Sequence, residues 1–183
     1  MRLADERGFS LTEMLVVVAL LGTVMGGLSG LFTSSMRAQD ELNQRFQSQG
    51  QARVALDRLR TDGFCASAVT GTATAVTFTT QTDCDSTGTV KWCTVANGTG
   101  RYKLLRLSGT GTCATSGRFY GDHLTTGSVF SIGTPTISRL AEVKVDLRLK
   151  QGRMKTAYRI CDVIVLRNSH RVAMTPSSSA GTC

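Results

Sequence analysis

The chain has 183 residues, 41% hydrophobic and 6% aromatic, with 21 Lys and Arg against 13 Asp and Glu for a net charge of +8. With 19 Gly and 2 Pro it is neither a disordered polypeptide nor a collagen-like repeat, and its length suits one compact domain plus an appendage. Its two histidines, His123 and His170, stand far apart and no two of its six cysteines have C-x-x-C spacing, which argues against a structural zinc site or a thioredoxin-type redox centre.

Residues 14–32, MLVVVALLGTVMGGLSGLF, contain no ionisable group. A helix of that run covers roughly 28 Å, close to the ~30 Å hydrocarbon core of a bilayer. A buried helix of a soluble domain is the alternative, but a stretch with no polar face would then need protein on every side. A cleavable secretory signal fits poorly, because no A-x-A-like site follows the apolar run. Ahead of it stand a polar leader, MRLADERG, and then FSLTE, which places Glu13 just inside the apolar helix. An ionised acid near lipid costs about 2.5–3.5 kcal/mol at mid-helix and less toward an end, so Glu13 needs a cationic partner. Its other reading is a solvated acid at the positive end of the helix dipole.

The stretch RGFSLTEMLVVVALL, residues 7–21, resembles the class III leader and N-terminal helix of type IV pilins and type II secretion pseudopilins. The likeness lies in the Gly8–Phe9 junction, the hydrophobic residue that follows it, Glu13 as the fifth residue after the junction, and the uninterrupted apolar helix. It implies cleavage after Gly8 by a membrane-embedded prepilin peptidase and N-methylation of Phe9. The cation for Glu13 would then be the new amino terminus of Phe9 on a neighbouring subunit, and the pair would fix axial register during assembly. The presence of Glu13 separates the chain from the tip-type K pseudopilin. One departure is Gly30, where many relatives carry proline. Gly22, Gly26 and Gly30 recur every four residues, a face suited to close helix packing or to local melting in a filament.

Beyond Phe32 the pattern becomes amphipathic. Met36, Leu42, Phe46, Ala52, Leu56 and Leu59 recur mostly at steps of three or four among Arg, Gln, Asp and Glu, so the helix is predicted to continue to about residue 62 and to stop at Gly63. This divides the chain into a leader at 1–8, a hydrophobic membrane and assembly helix at 9–32, its amphipathic continuation at 33–62, and a β-rich head at 63–183. The segment QARVALDRLRTDGFCAS, residues 51–67, resembles the helix end of J-type pseudopilins and W-type minor pilins, and VIVLRN at 163–168 resembles their closing strand.

In the head, AVTFTT around Phe78, TVKWCTV around Trp92 and RYKLLRL from Arg101 read as short strands, with Asn97-Gly98-Thr99-Gly100 as a hairpin turn. The clearest strand is LAEVKVDLRL at 140–149, in which Val143, Val145, Leu147 and Leu149 share one face and Glu142, Lys144, Asp146 and Arg148 the other. Its partner TAYRICDVIVLRN, residues 156–168, is more apolar and is expected to be more central. The predicted class is α+β, one long N-terminal helix on an antiparallel, disulfide-bearing sheet.

All six cysteines, Cys65, Cys84, Cys93, Cys113, Cys161 and Cys183, follow the membrane helix, as suits disulfides in an exported domain. Fifteen pairings are possible and the sequence does not choose among them; the expected set is Cys84–Cys93, Cys65–Cys161 and Cys113–Cys183. Arg2 and Arg7 agree with a cytoplasmic N-terminus. The precursor is therefore expected as a single-pass protein of the inner membrane and the product as a surface or periplasmic filament.

Other sites are weaker. Asp83-Cys84-Asp85-Ser86-Thr87-Gly88 resembles half of a calcium loop, but Thr94 stands where the bidentate acid belongs. His123 and Asp122 come with no nucleophile elbow or zincin motif, so no catalytic residue, metal or cofactor is expected and the chain does not read as an enzyme. The leader takes two of the 21 basic and two of the 13 acidic residues, leaving 19 and 11. Lys144, Arg148, Lys150, Arg153, Lys155 and Arg159 face only Asp146 in this stretch and form a candidate patch for DNA, an anionic surface polymer or a neighbouring subunit's acids. The function expected is that of a minor, J/W-like subunit of a type IV pilus or type II secretion pseudopilus. Its partners by resemblance are sister subunits, the prepilin peptidase, a platform membrane protein and an assembly ATPase. An adhesin or DNA-uptake receptor, or an anchored domain that never polymerises, is the alternative.

Overall fold

The computed structural model describes residues 10–81, 88–109, 111–135, 139–152 and 154–169, together with Cys183. By its internal contacts the chain forms two units, residues 1–42 and 43–183. A single helix, α1 (Leu11–Phe64), supplies the described part of the first unit and enters the second.

The second unit is the C-terminal part of α1 on an antiparallel sheet. Among the described residues the strands are β1 (Ala66–Gly71), β2 (Ala75–Thr80), β3 (Gly88–Ala96), β4 (Tyr102–Ser108), β5 (Arg118–Leu124), β6 (Phe130–Gly133), β7 (Glu142–Leu149) and β8 (Tyr158–Val165), with a one-turn helix α2 (Cys113–Ser116) before β5. The first five follow one another as neighbours, so consecutive strands pair. The β3–β4 connection is the hairpin expected at Asn97–Gly100: the Asn97 N–H donates to the Arg101 carbonyl at 2.8 Å, and Gly98 and Gly100 take positive φ of 90° and 65°.

β7 is the organising strand of the far half. β8 pairs along its whole length, while β6 pairs with residues 142–145 and β5 touches it only at Leu124↔Leu149, both on the side away from β8. The expectation that the more apolar β8 would be central is thus reversed: among the described strands it has β7 as its one partner, and Val163 and Val165 remain exposed.

The period-2 pattern of β7 holds. Val143, Val145, Leu147 and Leu149 are buried on the inner face, toward α1, and Glu142, Lys144, Asp146 and Arg148 lie on the outer one. Val76, Phe78, Trp92, Leu104, Leu124 and Ile164 join the core, and α1 contributes Ala52, Ala55, Leu56 and Leu59. Met36, Leu42 and Phe46, expected on the same helix face, are instead 54–69% exposed. Near its C-terminal end the helix packs tightly against β8.

Gly63 shows how close. It is not the helix stop that was expected but a buried residue inside α1, where an added Cβ would stand 2.5 Å from Ile164 Cγ2. The helix ends one residue later, where the Asn168 side-chain amide donates to the Phe64 carbonyl at 3.1 Å. Gly63→Ala gains up to about 1 kcal/mol of helix propensity, but overpacking costs about 1–3 kcal/mol. A net loss of stability is expected, read as a lower urea midpoint; a rise would mean that Ile164 yields freely.

Candidate functional site

In the first unit, the apolar half of α1 has no protein cover. Its 18-residue window of highest hydropathy averages 2.2 and is 0% buried, and Leu11, Met14, Leu15, Val18, Leu21 and Leu31 are each more than half exposed. By length and composition this segment is able to cross a membrane. Its hydroxyls are hidden by back-bonding: Thr23 donates to the Leu20 carbonyl, Ser29 to Met25, Thr33 to Ser29 and Ser34 to Leu31, each at 2.8 Å. A helix with its backbone and hydroxyls internally satisfied is the form that lipid accepts. An added Cβ at Gly22, Gly26, Gly27 or Gly30 would meet no atom within 4 Å, so no packing in this chain requires glycine there.

Glu13 stands exposed in the first turn. The Glu13 and Met14 N–H groups donate to the Ser10 carbonyl at 3.0 and 3.2 Å, and the Ser10 and Thr12 hydroxyls share a hydrogen bond of 2.8 Å. From Ser10 along the helix the first basic residue is Arg37, roughly 36 Å from Glu13 at 1.5 Å per residue. No cation of the described helix therefore reaches the carboxylate. Gly8 and Phe9 lie outside the described residues.

The head contains a buried ionic cluster that sequence reading missed. Asp62, near the end of α1, is 3% exposed. It accepts hydrogen bonds from Trp92 Nε1 at 2.7 Å and from Arg106 Nε and Nη2 at 2.7 and 2.9 Å. Trp92 and Arg106 are cross-strand partners on β3 and β4, and the Trp92 ring packs on Tyr120 with centroids 4.8 Å apart. The available signal was Arg106 itself, a charge at an inward position of an otherwise apolar alternation.

The basic stretch is only partly brought together. Lys144, Arg148 and Arg159 lie on the outer face of the β7–β8 pair, whereas Lys150 and Lys155 are exposed in the connection beyond it and Arg153 lies outside the described residues. Asp146 also neutralises part of that face. It accepts from Arg159 Nε and Nη2 at 2.9 and 3.1 Å and from Arg148 Nη2 at 3.0 Å. Burial pushes the Asp146 carboxyl up, but the hydrogen bonds from Arg159 and Arg148 outweigh it and hold the group below its ordinary value.

The disulfides correct the expected pairing. Cys93 is bonded to Cys113 and Cys161 to Cys183, with Cα atoms 6.3 and 5.8 Å apart; this excludes Cys84–Cys93, Cys65–Cys161 and Cys113–Cys183. The reason is facial. Cys65 follows the helix, which packs on the inner face, whereas Cys161 is opposite Asp146 on the outer face. Cys93, Leu105, Leu107 and Cys113 form their own small outer cluster. Cys65 is also disulfide-bonded, and Cys84 lies outside the described residues.

So does nearly all of the calcium-like segment 83–88. The Thr94 hydroxyl donates to the Gly127 carbonyl at 2.7 Å, and no group of three or more His, Cys, Asp or Glu among the described residues is placed to hold a metal. His123 and Asp122 sit in a bulge of β5, where Tyr102↔Leu124 and Leu104↔Gly121 leave both residues opposite Lys103. His123 has φ 61°, the only positive φ of a non-glycine residue among those described, at a cost of about 1–2 kcal/mol. Its N–H donates to Asp122 Oδ1 at 2.6 Å, Asn97 Nδ2 donates to the same oxygen at 3.1 Å, and the Lys150 N–H donates to the His123 carbonyl at 2.9 Å.

Residues 3–29 match the family model of the prokaryotic N-terminal methylation motif. This is a leader of the type IV pilin-like kind, and it indicates a pilin-like or pseudopilin precursor anchored by its apolar helix. No curated protein and no solved structure matches the chain.

Proposed function

We propose that this chain is a structural, non-enzymatic subunit of a type IV pilus or a type II secretion pseudopilus, in the minor, J/W-like class. A prepilin peptidase cuts after Gly8 and methylates Phe9. The helix, held in the inner membrane with its N-terminus inside, then exchanges lipid for sister helices under the action of a platform protein and a cytoplasmic ATPase. Glu13 pairs with the Phe9 terminus of the neighbouring subunit. The observation that carries this reading is an uncovered apolar helix whose one early charge, Glu13, has no cation within reach along it, joined to a methylation motif over residues 3–29. The J/W-like assignment draws its support from the sequence at 51–67 and 163–168.

Co-expression with a prepilin peptidase is expected to shorten the chain by the eight leader residues and to leave N-methyl-phenylalanine at the new terminus, read by mass spectrometry. An intact chain in the presence of active peptidase would refute the proposal.

A further inference from the structure

We infer that the head carries a binding site for a tetrahedral oxyanion, a phosphate or phosphate monoester, in a cavity at the end of the sheet where the β3–β4 hairpin turn, the β5 bulge and the chain leaving β7 meet. The cavity has a volume of about 150 Å³ and is lined by Thr99, Arg101, His123, Thr125 and Lys150, together with Gly100, Leu124 and Gly152. No acidic residue lines it. Arg101 and Lys150 are exposed, and neither forms an ion pair among the described residues.

The Thr125 hydroxyl already donates to the Arg148 carbonyl at 3.3 Å, but three chain segments far apart in sequence bring two cations, an imidazole and the Thr99 hydroxyl to one small opening. These are donors that suit an anion with oxygens in several directions, because charge-assisted hydrogen bonds from separate elements each take one oxygen. A carboxylate is planar and satisfies a single fork; a set spread around a concavity favours a tetrahedral group.

The local backbone supports the assignment. The β5 bulge puts His123 at φ 61°, and bulges and strained non-glycine residues concentrate where a side chain is re-aimed for binding. Asp122 holds the His123 N–H, Asn97 holds Asp122, and Lys150 holds the His123 carbonyl, so the same contacts that fix the strained residue bring the Lys150 backbone to it. His123 Nδ1 is buried and has no hydrogen-bond partner. The exposed rim admits an ester substituent, so free phosphate and a phosphorylated sugar are two sources of one chemistry.

The test uses the full chain in nonionic detergent, titrated with sodium phosphate, sodium sulfate, ribose 5-phosphate or sodium acetate against sodium chloride at matched ionic strength. Thermal unfolding and calorimetric stoichiometry are the readouts. Phosphate is expected to raise the melting temperature saturably by about 2–8 °C, with one site per chain. Sulfate should compete. Tighter binding of ribose 5-phosphate than of phosphate would assign the natural ligand to a carried headgroup, and equal binding to the free ion.

Arg101→Gln and Lys150→Gln, both on exposed residues, should each weaken binding about tenfold or more, the loss of one charge-assisted contact. His123→Gly, which suits the positive φ, should weaken binding without loss of stability. Lys155→Gln removes the same charge outside the cavity and should bind like the parent. A phosphate effect no larger than that of chloride, binding of acetate in preference to phosphate, or equal loss in Lys155→Gln and the cavity variants would overturn the inference.

Discussion

Asp62→Ala is expected to destabilise the head by about 3–5 kcal/mol, the cost of removing a buried carboxylate that both Arg106 and Trp92 bond. Asp62 and Arg106 are 3% and 8% exposed, so water replaces little of what the carboxylate supplies. The substitution removes the acceptor for Trp92 Nε1 as well as for the Arg106 fork. Urea unfolding of the full chain in nonionic detergent is a direct measure, because Trp92 is the single tryptophan and its own environment reports the transition. Asp62→Asn keeps an oxygen for the indole but not the charge for Arg106, and should fall between parent and alanine. The double variant Asp62→Leu with Arg106→Met should recover most of the loss, since replacing both partners by apolar groups is often neutral or stabilising. A loss below about 1 kcal/mol in Asp62→Ala would show that solvent reaches Arg106 and that the cluster does not hold the helix end to the sheet.

The same cluster marks where sequence reading stopped. Alternation in β7 and the glycine-rich turn before β4 are local patterns, set by which side chains face the core and by which residues tolerate positive φ; both are found where expected. What covers a face is not local. Met36, Leu42 and Phe46 continue the helical apolar period, yet they stay exposed while Ala52, Leu56 and Leu59 are buried. Strand composition misplaced β8 for a related reason: its inward Ile160 and Ile164 pack toward the core, but its outward Val163 and Val165 are on an exposed face, and apolar content alone does not separate the two.

Gly63 looked like a terminator because glycine often follows a helix, whereas its function is to let Ile164 approach. The cysteine pairs depended on which side of the sheet each residue faces, and that is fixed only once strand order is known. The methylation motif at residues 3–29 was legible for the opposite reason. Glu13 and the apolar run are contiguous in sequence, and nothing in the fold has to bring them together. The oxyanion cavity was illegible because Arg101, His123 and Lys150 come from three separate chain segments, and no spacing encodes that meeting.

Glu13→Val is expected to leave membrane insertion intact and to reduce incorporation into filaments by more than tenfold. Insertion should if anything improve, since an ionised carboxylate near lipid is unfavourable and valine is not. Incorporation is where the acid matters on the reading proposed above. An ammonium and a carboxylate desolvated among packed helices attract far more strongly than in water, and a subunit that offers no carboxylate leaves the neighbouring Phe9 terminus buried without a counter-charge. Tenfold corresponds to only about 1.4 kcal/mol, well within what one uncompensated buried charge costs. If Glu13 were merely a solvated acid at the helix start, its dipole interaction would contribute about 0.3–1 kcal/mol to the helix and nothing to assembly. Glu13→Gln separates the two readings further: it keeps the size and a hydrogen-bonding oxygen but not the charge, so register pairing predicts a loss close to that of valine. Quantifying the variant against the parent chain in sheared filaments and in the membrane fraction checks both halves. Equal filament content with equal membrane content would remove the pairing role from Glu13, because no other cation along the described helix comes within reach of it.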